Sequence, residues 1–157
     1  MALGPDDQAT ATALANRATV ARDQGDLASA RALFERALAI NEKALGPEHP
    51  DTAKCLNDLA LVLGAEGNFA AAQPLFERAL AIREQALGPE HSDTATSIGN
   101  LALLLWDQGD VANARPLYER ALAIREKALR FTFLRATKAA RAQISACERY
   151  PRSTRTS

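Results

Sequence analysis

Two histidines, each preceded by a glutamate, are the residues of this chain best suited to metal binding or proton transfer. Glu48 and His49 lie in one loop, and Glu90 and His91 lie in an equivalent loop 42 residues later. Imidazole and carboxylate groups bind transition metals and relay protons. No nucleophile or third ligand is spaced to join either pair. The recurrence of each histidine at one repeat position is better explained by the geometry of the loop and of a helix start.

The remaining patterns also argue against an enzyme. The sequence contains no phosphate-binding glycine loop, no paired catalytic carboxylates and no arrangement of a thiol with a histidine. It therefore predicts a non-catalytic protein without a cofactor or a metal. Its 157 residues, 47% hydrophobic and 24% charged, suit one compact domain or a short solenoid.

The sequence also predicts a cytoplasmic protein without a membrane partner. The longest apolar runs span only a few residues, and the N-terminus lacks the charged-then-apolar order of a signal peptide. Cys55 and Cys147 lie far apart in different sequence contexts. This spacing favours reduced, structural thiols over a disulfide or a reactive site.

An internal repeat with a period of 42 residues organises the chain. Residues 34–53, FERALAINEKALGPEHPDTA, return at 76–95 as FERALAIREQALGPEHSDTA, and the first half returns again from Tyr118. Three glycines provide a second landmark with the same period: Gly25, Gly67 and Gly109. Because two independent landmarks agree, the chain is predicted to be a repeat protein.

Each repeat is predicted to contain two helices joined by a short turn. Apolar residues follow helical spacing in the first helix (Leu56, Leu59, Ala60 and Leu63) and in the second (Ala72, Leu75, Phe76, Ala79, Leu80 and Ile82). A glycine such as Gly67 allows the positive φ that ends the first helix. Gly46-Pro47 and Gly88-Pro89 are predicted to end the second. Capping oxygens for the following helix are expected from Asp51, Ser92 and Asp93.

Small and aromatic residues recur at fixed repeat positions. Alanines that would allow close helix approach occur in all three copies: Ala18, Ala60 and Ala102, Ala30, Ala72 and Ala114, and Ala37, Ala79 and Ala121. Phe34, Phe76 and Tyr118 are expected to fill the space between neighbouring helix pairs. The first copy is degenerate, because Arg17 occupies the position of Leu59 and Leu101. Either the first repeat has eroded, or the chain is a fragment of a longer solenoid.

The C-terminal part departs from the repeat in sequence and in charge. Net charge is zero overall, but residues 130–157 contain seven basic side chains against Glu148 alone, so they carry +6 and the remainder −6. An apolar helical stripe is expected at Phe133, Ala136, Ala140, Ile144 and Cys147. It predicts a basic capping helix at 130–150, followed by a disordered tail at 151–157. The alternatives are a contact with nucleic acid or with an acidic partner, and a frame-shifted reading of a longer repeat gene.

These motifs resemble a tetratricopeptide repeat, and the long ALGPEHPDTA loop resembles the kinesin light chain subclass, whose bacterial relatives are common. The resemblance covers residues 3–129. It implies an all-α, right-handed solenoid of tandem helix-turn-helix repeats over residues 1–129, to which the predicted capping helix is added. In that family, the first helices line a concave groove that binds peptides or partner helices.

The resemblance carries the groove over to one face of the first helices, distinct from the buried face. Its candidate residues are Asn16, Lys54, Asn57, Asp58, Leu61, Asn100, Leu103 and Trp106. Asn16 and Asn100 match the asparagine that grips a ligand's backbone in the family, since a carboxamide both donates and accepts. Asp58 departs from this pattern and adds a negative charge, which favours a mixed polar and apolar ligand over an acidic one. Trp106 either anchors an interface or packs on the loop or the C-terminal segment.

The predicted function is a scaffold that binds a protein or peptide segment in this groove. Two alternatives remain open at the level of sequence. The chain could be a self-assembling module that forms homo-oligomers through open solenoid ends. It could also be the regulatory repeat region of a larger signalling protein, because bacterial relatives often adjoin signalling domains.

Overall fold

The computed structural model describes residues 7–149, except for the side chains of residues 135–137 and 139–149. Six α-helices occupy this range: α1 Gln8–Asp23, α2 Leu27–Leu45, α3 Pro50–Ala65, α4 Phe69–Leu87, α5 Ser92–Asp107 and α6 Val111–Arg149. No strand occurs among these residues. The predicted disordered tail at 151–157 lies outside the described residues.

The helices form three antiparallel hairpins stacked in chain order. Each hairpin pairs two consecutive helices (α1 with α2, α3 with α4, α5 with α6), and α2 packs on α3 as α4 packs on α5. Neighbouring first helices also touch, α3 against α5. Among the described residues, these helix contacts lie within a hairpin or between successive hairpins, which defines the predicted all-α solenoid.

Glycine ends each first helix in the predicted way. Gly25, Gly67 and Gly109 have φ of +82°, +77° and +83°, a region that residues with a Cβ rarely adopt. The next residue then caps the second helix: Asn68 Oδ1, for example, accepts a hydrogen bond from the Ala71 amide. The turn is therefore encoded by two adjacent residues.

The histidines cap the first helices of the second and third hairpins. His49 Nδ1 accepts a hydrogen bond from the Asp51 amide, and His91 Nδ1 accepts one from the Asp93 amide, both at 3.1 Å. This confirms the helix-start explanation of their recurrence. It also corrects the predicted caps: Asp51, Ser92 and Asp93 lie in the first turn of their helices. Each helix starts earlier than predicted because the imidazole supplies the acceptor.

The same loop is fastened by a threonine. Gly46 and Gly88 cap the ends of α2 and α4, which confirms the predicted end of the second helix. The Oγ1 atoms of Thr52 and Thr94 donate to the Gly46 and Gly88 carbonyls at 2.8 Å, and neither threonine is exposed. This bond ties the starts of α3 and α5 to the ends of the helices that precede them.

The repeated alanines are buried as predicted, but the repeated aromatic residues differ. Phe34 and Phe76 are 0% and 2% exposed and belong to the largest core cluster, whereas Tyr118 is 37% exposed. The repeat pattern predicts that Tyr118 fills the space between two hairpins. Tyr118 does not, because no helix beyond α6 packs against it in the described part of the chain.

The predicted capping segment continues α6 instead of forming an element of its own. Helix α6 is 39 residues long and passes Leu129, where α4 ends at the equivalent Leu87. The reason is local, since RFTFLRAT replaces GPEHSDTA and lacks the glycine and proline that stop α4. Leu129 and Phe131 are 69% and 67% exposed, so this part of the segment does not cover the solenoid end. A capping role for the rest stays a prediction.

Candidate functional site

The predicted groove residues lie along the first helices, but their exposure differs. Asn16, Lys54, Leu103 and Trp106 are exposed; Asp58, Leu61 and Asn100 are partly buried; Asn57 is buried. Among the exposed members, Leu103 and Trp106 stand out as large apolar side chains that are 45% and 55% exposed. The structure therefore does not bury Trp106 against the neighbouring loop. Large apolar side chains left in solvent next to polar groups are typical of interaction surfaces.

Three of these residues meet in a cleft between α3 and α5. The cleft has a volume of about 230 Å³ and is lined by Ala60, Leu61, Gly64, Ala65, Phe76, Asn100, Leu103, Leu104 and Asp107. Its walls are mainly apolar, with the Asn100 carboxamide and the Asp107 carboxylate as polar groups. A volume of this size accommodates about one large apolar side chain. The structure thus brings Leu61, Asn100 and Leu103 together, while Asn16 and Lys54 lie away from the cleft.

Asn57 and Asn100 form a hydrogen bond between two repeats. Asn100 Nδ2 donates to Asn57 Oδ1 at 2.9 Å. Asn57 is only 5% exposed, so it lies below the surface and differs from the expectation that it lines an open groove. Asn57 therefore contacts the Asn100 amide from the buried side. One N–H of the Asn100 amide is engaged in this bond, and its Oδ1 makes no hydrogen bond to the described residues.

Asp58 occupies the position where Asn16 and Asn100 carry a carboxamide. Burial raises the pKa of its carboxyl group above the usual value, because desolvation penalises the carboxylate. A hydrogen bond from the Asn57 side chain and the positive charges of Lys54, Arg22 and Arg83 act in the opposite direction without cancelling this effect. Asp58 is therefore a partly desolvated acid that destabilises the fold when it is charged.

We expect Asp58→Asn to increase the free energy of unfolding at pH 7. A raised native pKa means that the native state binds more protons than the unfolded state between the two pKa values, so stability falls as pH rises through that window. The penalty is fully present above the native pKa and is absent below the unfolded one. The gain should therefore shrink as pH falls towards the unfolded pKa. Urea unfolding at pH 7 and at a pH near the unfolded pKa measures this gain. An equal gain at the two pH values would contradict a raised pKa for Asp58.

A polar pair between α4 and α5 escaped sequence analysis. Arg83 is only 7% exposed, and its Nη1 donates to Ser97 Oγ at 2.7 Å and to the Asp93 carbonyl at 3.1 Å. The equivalent pair in the first interface is Asn41 and Cys55, with Asn41 Nδ2 donating to Sγ at 3.2 Å. A signal was available, because both members of the pair change between copies of an otherwise similar repeat.

The environment of Cys55 agrees with a structural thiol. Burial raises its pKa to about 11, while the hydrogen bond from Asn41 acts in the opposite direction. A thiol with this pKa is almost entirely protonated at neutral pH and is a poor nucleophile. In the described part of the chain, no three His, Cys, Asp or Glu side chains come close enough to hold a metal ion.

The six helices define an α-solenoid of helical hairpins with a cleft between successive first helices. The sequence model of the tetratricopeptide repeat matches residues 9–85 and 57–127, which together span most of the chain. This protein therefore belongs to the tetratricopeptide repeat family. Repeats of this family generally mediate protein–protein interaction, and the proteins that contain them are generally non-catalytic scaffolds.

Solved structures place the chain near the kinesin light chains. BtubC (BKLC) from P. vanneervenii is 26% identical with a TM-score of 0.70, over 74% of this chain and 46% of the other. A putative kinesin light chain from Podosopora anserina with nearly identical repeats is 28% identical with a TM-score of 0.70, over 82% and 60%. The resemblance to kinesin light chain-like repeats is thereby confirmed.

More distant structures share the fold alone. The tetratricopeptide domain of Arabidopsis FLU is 19% identical with a TM-score of 0.66, over 74% of this chain and 95% of that domain. No curated protein sequence matches the chain. This chain matches 46% and 60% of the lengths of the two light chain-like structures.

None of the helices in the described range has the length and apolar character needed to cross a membrane.

Proposed function

We propose that this protein is a non-catalytic scaffold that binds an extended segment of a partner protein along α1, α3 and α5. The observation that carries the proposal is the cleft between α3 and α5, where Leu61 and Leu103 form apolar walls beside the Asn100 carboxamide. The exposed indole of Trp106 lies one helical turn beyond Leu103. Family membership supports the same function, since these repeats generally mediate protein–protein interaction.

The chemistry of the cleft defines the ligand that it fits best. One apolar side chain would enter the cleft, and the free Oδ1 of Asn100 would accept a hydrogen bond from the ligand backbone. Trp106 would cover a second apolar group. The negative charges of Asp58 and Asp107 balance the positive charges of Lys54 and Arg22, so the surface has no dominant charge. A mixed polar and apolar segment therefore fits better than an acidic one, and so short a surface should bind with micromolar affinity.

A pull-down from lysate with the double variant Leu103→Asp/Trp106→Ala beside the wild type tests the proposal. Both side chains are about half exposed, so their replacement should leave the fold intact. We avoid Asn100→Ala, because it would leave Asn57 Oδ1 buried without its donor. We expect the variant to lose at least about tenfold in affinity for any partner that the wild type retains, as expected for the loss of an apolar anchor.

The matched control is Val111→Asp, which introduces the same charge at a side chain that is 48% exposed on α6, outside the first helices. Circular dichroism should show all three proteins equally folded. Retention of the partner by Val111→Asp and its loss by the double variant would support the proposal. Equal retention by both variants would place binding elsewhere on the protein.

Two further properties belong to the same proposal. We place the protein in the cytoplasm because Cys55 is a free, buried thiol, which suits a reducing compartment.

We also propose that it acts within a larger assembly. The light chain-like structures extend well beyond the part that this chain matches, which supports a repeat region that functions together with other segments.

A further inference from the structure

Ion pairs join the second helices of successive hairpins at one recurring position. Arg78 Nη1 in α4 lies 2.8 Å from Glu42 Oε1 in α2, and Arg120 Nη2 in α6 lies 2.6 Å from Glu84 Oε1 in α4. Each pair bridges two hairpins and combines the same two repeat positions. The same combination of repeat positions thus forms an ion pair at both interfaces.

The two ends of the solenoid carry the unpaired halves of this bridge. Arg36 in α2 occupies the position of Arg78 and Arg120, and Glu126 in α6 occupies the position of Glu42 and Glu84. Both side chains are exposed, and neither forms an ion pair with the side chains that the structure describes. One end therefore presents the cation, and the other end presents the anion.

Apolar side chains at the two ends are left exposed in the same way. Val20 in α1 is 55% exposed, whereas its equivalents Val62 and Leu104 are 0% and 3% exposed beneath a neighbouring hairpin. At the other end Leu122 is 58% exposed, and its equivalent Leu80 is partly buried. The surfaces that meet inside the solenoid are thus also present, uncovered, at its two ends.

We propose that two copies of this chain stack head to tail, with α6 of one copy packed on α1 of the next, and with Glu126 of the first copy paired with Arg36 of the second. The occupant of each end is a second copy, because its opposite end offers the complementary charge at the matching repeat position. Such an interface is heterologous, so it leaves one free end of each kind and permits further addition.

This contact should be weaker than the internal interfaces, because two residues at the ends differ from their equivalents inside the solenoid. Arg17 would enter the interface at the position of Leu59 and Leu101, and its charge would lose solvent there. Arg125, at the position of Arg83, would face Ala13 and would lack the hydroxyl that Ser97 offers Arg83. Association should therefore depend on concentration and should not produce a permanent oligomer.

Sedimentation velocity of the wild type and of Arg36→Glu and Glu126→Arg, over a range of concentrations, tests the proposal. Each substitution places like charges opposite each other, so each variant alone should dissociate about tenfold more readily than the wild type. Mixing the two variants recreates opposite charges at every contact between one variant and the other. The mixture should therefore recover wild-type association, a result that damage to the fold would not produce.

The control is Glu77→Arg, an equivalent charge reversal on an exposed residue of the middle hairpin, which should associate like the wild type. A wild type that remains monomeric up to about millimolar concentration, well above the Kd of weak protein contacts, would overturn the proposal. It would also be overturned by self-association that both reversed-charge variants retain unchanged, which would place the contact elsewhere, for example at the exposed Phe131.

Discussion

Replacement of Phe76 by alanine should lower the free energy of unfolding by about 3–5 kcal/mol. Phe76 is 2% exposed and belongs to the core cluster that includes residues of all six helices. Removing its ring deletes packing within the second hairpin and between the second and third hairpins, and it leaves a cavity that rigid neighbouring helices cannot refill. Urea unfolding monitored by far-ultraviolet circular dichroism measures the loss.

The matched variant is Tyr118→Ala, at the same position of the third repeat. Tyr118 is 37% exposed, so its removal deletes fewer contacts and leaves an open surface instead of a closed cavity. We expect a loss of about 1 kcal/mol. Losses of similar size for the two variants would show that the aromatic position contributes within its own hairpin and not between hairpins.

Replacement of Ala79 by leucine should destabilise the protein by about 1–3 kcal/mol through overpacking. Ala79 is 0% exposed and lies in a cluster with Ala53, Leu56 and Ile82, where α4 meets α3. The added side chain has no free volume to occupy, so it would separate helices that the alanine holds close together. Thermal or urea unfolding would reveal this as a lower midpoint.

The control for this prediction is Ala81→Leu, on the exposed side of the same helix. Alanine and leucine differ little in helix propensity, so this change should alter stability by less than about 0.5 kcal/mol. If Ala79→Leu were as harmless as Ala81→Leu, the close approach of α3 and α4 would not depend on the small residue.

Local sequence signals determined the helices, the turns and the order of the hairpins. Gly67 with Asn68 ends one helix and caps the next, and the Gly88-Pro89 step ends the second helix, using only neighbouring residues. The same logic explains α6, which continues past Leu129 because those stop signals are missing. The role of the histidines in starting helices also followed from their position. The cap atom itself did not, since a histidine is an uncommon cap and the nearby aspartates are stronger candidates by residue type.

The repeat pattern likewise placed the candidate groove on the first helices, but it could not separate residues on the surface from residues beneath it. Asn57 and Asn100 were both assigned to the groove face, yet Asn57 is only 5% exposed, while Asn100 is partly exposed. The difference arises from the packing of α3 against α5, which places the two side chains in contact across 43 residues of chain.

The sequence alone therefore determined the repeat unit, its helices and its turns, because these depend on interactions between residues close together in the chain. Tertiary structure decided which repeated residues are buried. Phe76 and Tyr118 share one repeat position, but only Phe76 has a following hairpin packed over it. Burial of an interface residue depends on the presence of a neighbour, and a periodic sequence assigns the same pattern to every copy whether or not that neighbour is there.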